Sequence, residues 1–423
     1  EEAVQQLQKE NRELRQQVLE LKPTIASTAP GTNMMDKTAF ASSAAELAAS
    51  SKSPFVLPWG KESKLKLGGF IQGNAEGGDV SAFEGRLADG PNSVNNRLRL
   101  RRARINVTGE FLEHFDFKLE GDFEQGDGLS GGRTGFSGTD LFLNWNQFPE
   151  ANIKVGQYKA PFGLEQTTSD TVLFTPERTL VTGALTPERQ VGVQLLGKPL
   201  ANLGLDKKDL LGYSVGVFNG NGRNTIVNDN NEFMYAGRLD SVLYSGKLFD
   251  QPTKVKVGFN GIYSRDGANV TLSPVGNLRL QPDGSLLPFS THTPDERRAW
   301  GADVSLTFGP FDLVAEYLQE RIQPTTSAPN FKEFTANGYY VQGSYYFWKN
   351  KLQLVGKFDS FNPGQAANDD IYSTTVGLNY YIKGNDLKLM LDYIHTWSDF
   401  RRNNPGFRKD EFDQILMRVQ LMF

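Results

Sequence analysis

The sequence has 423 residues, no cysteine, 45 Lys and Arg and 49 Asp and Glu, so its net charge is −4. The absence of cysteine excludes disulfides and thiolate metal sites, and the slightly acidic balance argues against nucleic acid as a partner. No run approaches the roughly 18 apolar residues that a membrane-spanning helix needs. The chain starts with Glu1 rather than Met, and we expect it to be the processed form of a longer precursor.

Residues 1–22 predict a short coiled-coil helix. Apolar residues recur at spacings of three and four, which is the a/d repeat of a coiled coil, and Pro23 ends the helix because proline lacks an N–H. The pattern alone leaves two alternatives open, an amphipathic surface helix and a dimeric rather than trimeric coil. The seam residues are Val4, Leu7, Asn11, Leu14, Val18 and Leu21. Residues 23–60, rich in Ala, Ser, Thr and Pro, predict a linker.

From residue 61 to Phe423 the hydrophobic period changes to two, which is typical of β-strands. The stretch 115–123 alternates Phe, Leu and Gly with charged residues, and the stretch 414–423 alternates in the same way. We expect sixteen strands of mostly ~9–12 residues, the length with which a tilted strand crosses a bilayer. Their predicted starts lie near residues 64, 97, 115, 139, 152, 190, 212, 233, 254, 298, 311, 335, 352, 371, 387 and 412.

The connections between these strands alternate in length. Short turns are predicted at 112–114, 149–151, 309–310, 348–351 and 383–386, and long loops at 76–96, 125–138, 160–189, 265–296 and 398–411. Two short-side connections, 198–211 and 244–253, are expected to be longer than usual. Short connections on one side and long ones on the other are typical of outer-membrane barrels, whose short turns face the periplasm. An even strand count puts the N-terminal segment on the periplasmic side.

A closed barrel also fits the physical constraint that lipid imposes. In hydrocarbon every backbone N–H and C=O needs a partner, and only helices and closed barrels provide one. About sixteen strands leave a water-filled lumen, whereas eight would be filled by side chains. The sequence therefore predicts an all-β fold, a transmembrane antiparallel barrel with a polar inner face, preceded by the coiled-coil helix. A two-layer soluble sandwich is the alternative.

Several segments resemble the phosphate-selective porin O/P family. They are Lys64–Gln72 (KLKLGGFIQ), Leu100–Ile105 (LRRARI), Lys154–Glu165 (KVGQYKAPFGLE), Gly338–Tyr345 (GYYVQGSY), Gly377–Tyr380 (GLNY) and Leu389–Tyr393 (LMLDY). The resemblance implies a homotrimer of sixteen-stranded barrels in an outer membrane of the Gram-negative type. It also implies that the loop of residues 160–189 folds into the lumen and that basic residues there select anions. The coiled coil is an addition to the pattern associated with this family.

The candidate constriction residues follow from the position of the loop that the family resemblance implies, and the candidate pore-lining residues follow from the alternation along the strands. Arginine offers several donors that match phosphate oxygens. The alternative is that these charges pair with each other and hold the loop to the wall. Residues 159–190 contain three basic and four acidic residues, a net charge of −1, so both an anion-preferring pore and a general or mildly cation-preferring pore stay open. The candidates are Lys159, Glu165, Arg178, Arg189, Arg102, Arg104, Lys118 and Lys154.

Catalysis, a cofactor and a metal site are not expected. Gly212–Gly216 matches the nucleophile-elbow string, but that motif needs a strand–turn–helix context and a histidine partner. The three histidines, His114, His292 and His395, are scattered and form no metal cluster.

The expected function is passive diffusion of ions and small hydrophilic solutes, possible permeants being small ions or phosphate. The expected surroundings are outer-membrane lipid. The alternative function is structural, because residues 1–60 could tether the outer membrane to the cell wall or to a periplasmic partner.

Overall fold

The computed structural model describes residues 56–58, 64–80, 82, 87, 96–123, 135–202, 209–267, 278–280, 286–288, 294–325 and 332–423. The predicted coiled coil of residues 1–22, with its seam, lies outside the described residues, as does most of the predicted linker of residues 23–60. The described part of the predicted linker, Val56–Pro58, forms a three-residue strand that pairs with Lys64–Lys66.

Sixteen strands form a closed antiparallel barrel, because each pairs with the next along the chain and the last pairs with the first. Two backbone hydrogen bonds of 3.0 Å between Gly69 and Phe423 lie at this closure. The strands are β1 (Lys64–Gly78), β2 (Asn96–Phe111), β3 (Phe115–Asp122), β4 (Ser137–Phe148), β5 (Ala151–Lys159), β6 (Arg189–Gly197), β7 (Gly212–Phe218), β8 (Met234–Leu248), β9 (Gln251–Asp266), β10 (Asp295–Phe308), β11 (Phe311–Pro324), β12 (Phe334–Trp348), β13 (Leu352–Asn362), β14 (Ile371–Lys383), β15 (Leu387–Ser398) and β16 (Glu411–Met422).

The predicted fold class is confirmed, and each strand begins within three residues of its predicted start. The predicted lengths are less accurate, since the strands range from 7 residues in β7 to 16 in β2 and β9. The short connections are 112–114, 149–150, 198–211, 249–250, 309–310, 349–351 and 384–386. The long ones are 79–95, 123–136, 160–188, 219–233, 267–294, 325–333, 363–370 and 399–410.

One predicted connection, the ten residues 244–253, is wrong. β8 continues to Leu248 and β9 starts at Gln251, so the connection is the two-residue turn Phe249–Asp250. Both turn residues have positive φ, 49° and 60°, which is the conformation of tight hairpin turns that match the twist of the strands. Ser245 and Lys247 interrupt the apolar alternation, and for that reason the sequence pattern ends before the backbone pairing does.

The two faces of the barrel wall differ in polarity. On β14, Val376 faces outward and is 53% exposed, whereas its neighbour Thr375 faces inward and is 2% exposed. Outward aromatic side chains lie near strand ends, where membrane barrels carry girdles at the lipid–water interfaces. Those exposed on the outer face include Phe148, Tyr345, Phe347, Tyr380 and Tyr393.

Three short helices complete the described structure: α1 (Leu164–Thr167), α2 (Leu180–Leu185) and α3 (Asp399–Arg402). Among the described residues, none of the helices has the length and apolarity needed to span a bilayer. A two-stranded hairpin, Leu278–Leu280 with Leu286–Pro288, lies in the connection between β9 and β10.

A lysine placed on the outer face tests the assignment of that face to lipid. Val376 lies in the middle of β14 and Ile382 lies near its end, and both face outward. We expect Val376→Lys to lower the free energy of unfolding by about 2–4 kcal/mol, whereas Ile382→Lys costs about 1 kcal/mol or less, because the penalty for charge falls from the midplane to the interface. Urea unfolding from lipid vesicles measures both, and equal costs for the two variants would contradict the assignment.

Candidate functional site

The loop of residues 160–188, between β5 and β6, lies inside the barrel, and α2 anchors it. Leu180, Val181, Ala184 and Leu185 of α2 are all buried, and the Thr179 hydroxyl caps the helix by accepting the N–H of Thr182 at 3.1 Å. Apolar residues on the inner face of the wall complete this core. The sequence predicted a polar inner face and did not predict this apolar patch. The residues of the patch are Phe142, Phe218, Ala236, Ile262, Ala299, Leu318, Ala336 and Phe361.

Gly338 of β12 lets α2 approach the wall. A Cβ at this position would lie 2.8 Å from a methyl group of Val181 and 2.5 Å from the carbonyl oxygen of Ser360. Close packing of that kind fixes the helix against β11, β12 and β13. The side of the loop that contains α2 is therefore attached by packing.

The opposite side of the loop, residues 170–177, is attached by hydrogen bonds from the wall to its backbone carbonyls. Lys388 donates to the carbonyl of Leu173 at 3.0 Å, and Lys357 donates to that of Glu177 at 3.1 Å. Four further donors bind the same segment: Gln72 to Asp170, Gln420 to Thr171, Asn379 to Phe174 and Arg418 to Pro176. Six carbonyls of an eight-residue segment are thus held by side chains of β1 and β13–β16.

Two carboxylates of the same segment form ion pairs with arginines. Asp170 lies 2.7 Å from Arg104, 3.4 Å from Arg102 and 2.5 Å from Arg178. Glu177 receives a two-pronged contact from Arg101, at 2.8 and 3.0 Å, and also contacts Arg418. Arg178, in the loop itself, further donates to the carbonyls of Glu165 and Thr168.

A second group of charges continues the network along β3, β4 and β6. Arg189 pairs with Asp140 at 2.6 Å, and Lys118 pairs with Asp140 at 3.0 Å and with Glu120 at 3.1 Å. Arg104 joins the two groups, because it contacts both Glu120 at 3.8 Å and Asp170, and it also pairs with Asp122 at 2.7 Å. We call this connected set the lumen network. Its described members are Arg101, Arg102, Arg104, Lys118, Arg178, Arg189, Arg418, Glu120, Asp122, Asp140, Asp170 and Glu177.

Three of the predicted site residues make contacts of other kinds. The Lys159 ammonium donates to the carbonyl of Thr168 at 2.9 Å, and no ion pair of 4.0 Å or less is found for it among the described residues. Lys154 lies over the rings of Phe142 and Tyr158, at 4.5 and 5.2 Å. Glu165 accepts the N–H and hydroxyl of Thr179 and so connects the two halves of the loop.

Sequence reasoning missed several basic residues, although the pattern of β2 contains the signal. Leu98 and Leu100 face outward, and so does Ile105, which means that the alternation changes phase between residues 100 and 105. Register shifts at Gln72/Gly73 accommodate this change, and Arg101 and Arg102 both contact groups inside the barrel. The inner face of β2 therefore carries a column of five arginines: Arg97, Arg99, Arg101, Arg102 and Arg104. Arg418, Lys357 and Lys388 were missed as well, because nothing in their own strands marks them as contacts of the loop.

The two loop carboxyls have depressed pKa values. Burial alone would raise the pKa of Asp170, but the guanidiniums around it, led by Arg102 and Arg178, outweigh burial and hold that pKa well below its usual range. The same balance, with Arg101 and Arg418 as the main cations, holds the pKa of Glu177 well below its usual range. Both groups therefore carry a full negative charge at neutral pH.

The lumen network has an excess of positive charge. Within the described part of the chain, seven cationic side chains share five carboxylates. At the edge of the network, Lys159 and Lys357 add two ammonium groups, and Glu165 and Asp392 add two carboxyl groups. A water-filled passage beside such a cluster attracts anions, because the surplus charge lies between low-dielectric walls that weaken screening.

Comparison with known proteins agrees with this architecture. Residues 72–423 match the family model "Phosphate-selective porin O and P". The chain belongs to this family. Porin O of Pseudomonas aeruginosa is 25% identical to it over 418 residues, which cover 86% of this chain and 89% of that protein. The resemblance noted in the sequence is therefore confirmed.

Solved structures share the fold of this porin. The anion-selective porin from Comamonas acidovorans has a TM-score of 0.57 at 11% identity, with 86% of this chain and all of that chain covered. OmpT of Vibrio cholerae in its trimer form has a TM-score of 0.53 at 11% identity, with 85% and 99% covered. The protein is an outer-membrane porin that forms a channel.

The residues considered for catalysis lie apart in the porin. Ser214 lies within β7, and His395 faces outward, where it contacts Asp413 at 2.9 Å. His114 lies in the turn between β2 and β3, and His292 lies outside the described residues. In the described residues no group of three or more His, Asp or Glu could hold a metal ion.

Removing one carbonyl donor should loosen the loop. Lys388→Met keeps the length of the side chain but loses the hydrogen bond to Leu173, so we expect more frequent current fluctuations and a modestly higher conductance in single-channel recordings. Lys383→Met is the matched control, because Lys383 is exposed at the end of β14. A quiet channel with unchanged conductance in the Lys388 variant would show that this bond does not hold the loop.

The depressed pKa values of Asp170 and Glu177 predict that mild acid does not loosen the loop. Such groups stabilise the folded state above their ordinary pKa values, 3.8 for Asp and 4.5 for Glu, and this contribution is lost only as the pH falls through the lower folded-state values. We expect the same closing frequency at pH 7 and at about pH 5, measured in planar bilayers. Closures that increase between these two values would contradict the assigned ion pairs.

Proposed function

We propose that this porin is an anion-preferring diffusion channel whose selectivity comes from the lumen network. The observation that carries the proposal is the surplus of cations in the network, seven against five carboxylates in the described residues. Rings and clusters of uncompensated Arg or Lys are the usual basis of anion selection in pores. The candidate residues Lys159, Arg102, Arg104, Arg178 and Arg189 supply or border this surplus.

Two buried carboxylates on β10 and β11 have partners outside the lumen network. Asp303 of β10 accepts two hydrogen bonds from Arg238, at 2.7 and 2.9 Å. Glu316 of β11 accepts the backbone N–H groups of Leu164 and Glu165, at 2.5 and 3.1 Å, and so fixes the start of α1. The guanidinium of Arg238 thus offsets the charge of Asp303, whereas the N–H groups fix the position of the Glu316 carboxylate without offsetting its charge.

Inorganic phosphate is the permeant that we propose to be favoured over chloride. Guanidinium groups donate in a planar fork that matches phosphate oxygens, and Lys159 keeps donors available beside Arg178. Two comparisons support a preference for anions such as phosphate: the family is named for phosphate-selective porins, and a porin that shares the fold is named as anion-selective.

We also propose a homotrimer with its N-terminal segment in the periplasm. The trimer form of a structural neighbour supports the assembly. The strand Val56–Pro58 pairs with Lys64–Lys66, the first residues of β1, which lie beside the short turn of residues 112–114. The chain therefore enters the barrel on the short-turn side. Residues 1–60 would then be placed to tether the membrane to the cell wall or to a periplasmic partner.

Reversal potentials across a KCl gradient test the selectivity. We expect the purified full-length porin to give the sign of an anion-preferring channel, and we expect millimolar phosphate to reduce the chloride current because the two anions share one path. A reversal potential of the opposite sign would end the proposal. An unchanged chloride current with phosphate would remove the phosphate part only.

Substituting Lys159 tests its role at the edge of the network. Lys159→Gln removes an ammonium group, and we expect the anion-to-cation permeability ratio to fall about sixfold, because one unit charge at about 8 Å in water changes the local concentrations of anion and cation by about 2.4-fold in opposite directions. Lys349→Gln, in the exposed turn between β12 and β13, is the matched control and should leave the ratio unchanged. Equal ratios for both variants would exclude Lys159 from the selective region.

A further inference from the structure

The Asp170 carboxylate occupies a position between three guanidiniums. Arg104 lies 2.7 Å away, Arg178 2.5 Å and Arg102 3.4 Å. All four side chains are shielded from solvent, with exposed fractions between 4% and 15%. Three converging guanidiniums form a receptor for one oxyanion, and in this porin the loop fills the receptor with a carboxylate of its own.

We propose that Asp170 determines the degree of anion selectivity, because it is a built-in counter-ion that offsets one positive charge of Arg102, Arg104 and Arg178 and so weakens the attraction of these buried guanidiniums for permeating anions. This proposal rests on the proposed function. It assigns to the loop a regulatory charge, in addition to its role as the element that narrows the barrel.

The three arginines do not depend on Asp170 for their positions. Arg102 also binds the Gln72 side chain at 2.9 Å, and Arg104 also pairs with Asp122 at 2.7 Å. Arg178 donates to two loop carbonyls, those of Glu165 and Thr168. Loss of the Asp170 charge would leave the guanidiniums in place with one more uncompensated positive charge.

The loop backbone at this position is also held independently of the carboxylate. The carbonyl of Asp170 accepts from Gln72 at 3.2 Å, and that of Thr171 accepts from Gln420 at 3.0 Å. Asparagine has the same shape as aspartate and keeps one acceptor oxygen. Asp170→Asn therefore removes the charge and one of the two acceptor oxygens, while the hydrogen bonds to the carbonyls of residues 170 and 171 still hold the loop.

Glu177 is less suited to the same role. Both carboxylate oxygens of Glu177 accept hydrogen bonds from the guanidinium of Arg101, at 2.8 and 3.0 Å. Arg418 donates to the same carboxylate and to the adjacent carbonyl of Pro176. Neutralising Glu177 would disturb a bidentate pair and a carbonyl anchor together. Its main effect would be on the position of the loop.

The test compares the full-length porin with Asp170→Asn in planar bilayers. We expect the anion-to-cation permeability ratio of the variant to rise about sixfold, because one unit charge at about 8 Å in water changes the local concentrations of anion and cation by about 2.4-fold in opposite directions. We also expect phosphate to block the chloride current at a lower concentration. In 1 M KCl, where the Debye length is about 3 Å, conductance should match the wild type.

Asp250→Asn is the matched control, since Asp250 lies in the exposed turn between β8 and β9, and it should change neither quantity. An unchanged ratio in Asp170→Asn would overturn the proposal. A higher conductance of that variant in 1 M KCl would also overturn it, because Asp170 would then be holding the loop. A cation-preferring wild type would end the proposed function, whereas a shift toward anions in the variant would still support the role of Asp170.

Discussion

The constraint on which this structure depends is that no backbone N–H or C=O can stay unpaired in hydrocarbon. The sheet meets it by closing, with β16 paired to β1 and the Gly69–Phe423 hydrogen bonds at that edge. Closure with sixteen strands leaves an interior too wide for wall side chains to fill. The polar inner face and the loop inside the barrel both follow from that width, because something other than lipid has to occupy the space.

The loop of residues 160–188 divides its attachment between two kinds of interaction. Around α2 it packs apolar side chains against an apolar patch of the inner wall, and along residues 170–177 it accepts hydrogen bonds from lysine, arginine and amide side chains. Most inward basic residues of β13–β16 are used in this way. Basic residues inside a porin therefore have two tasks here, holding the loop and attracting ions, and only contact geometry separates the two.

Electrostatics in the lumen depends on how charges from distant parts of the chain combine. The loop alone carries more acidic than basic residues, which favours a weak preference for cations. When the loop lies against β2, the five arginines of β2 outnumber the four carboxylates of the loop. The local net charge then becomes positive. Arg104 illustrates the point, since it binds Asp122 from the neighbouring strand and Asp170 from a loop 66 residues away.

The sequence by itself determined the strands, their number and the two faces of the wall, because alternation at period two reports directly which side chains meet lipid. Val376 and Thr375 lie on opposite faces as the alternation requires, and Arg102 and Arg104 were placed on the inner face from the pattern, whereas Arg101 was missed at the change of phase between Leu100 and Ile105. Only the tertiary structure decided which charges meet. The contacts of Lys388 with Leu173 and of Arg418 with Glu177 join residues more than 200 positions apart, and local periodicity contains no information on such distances.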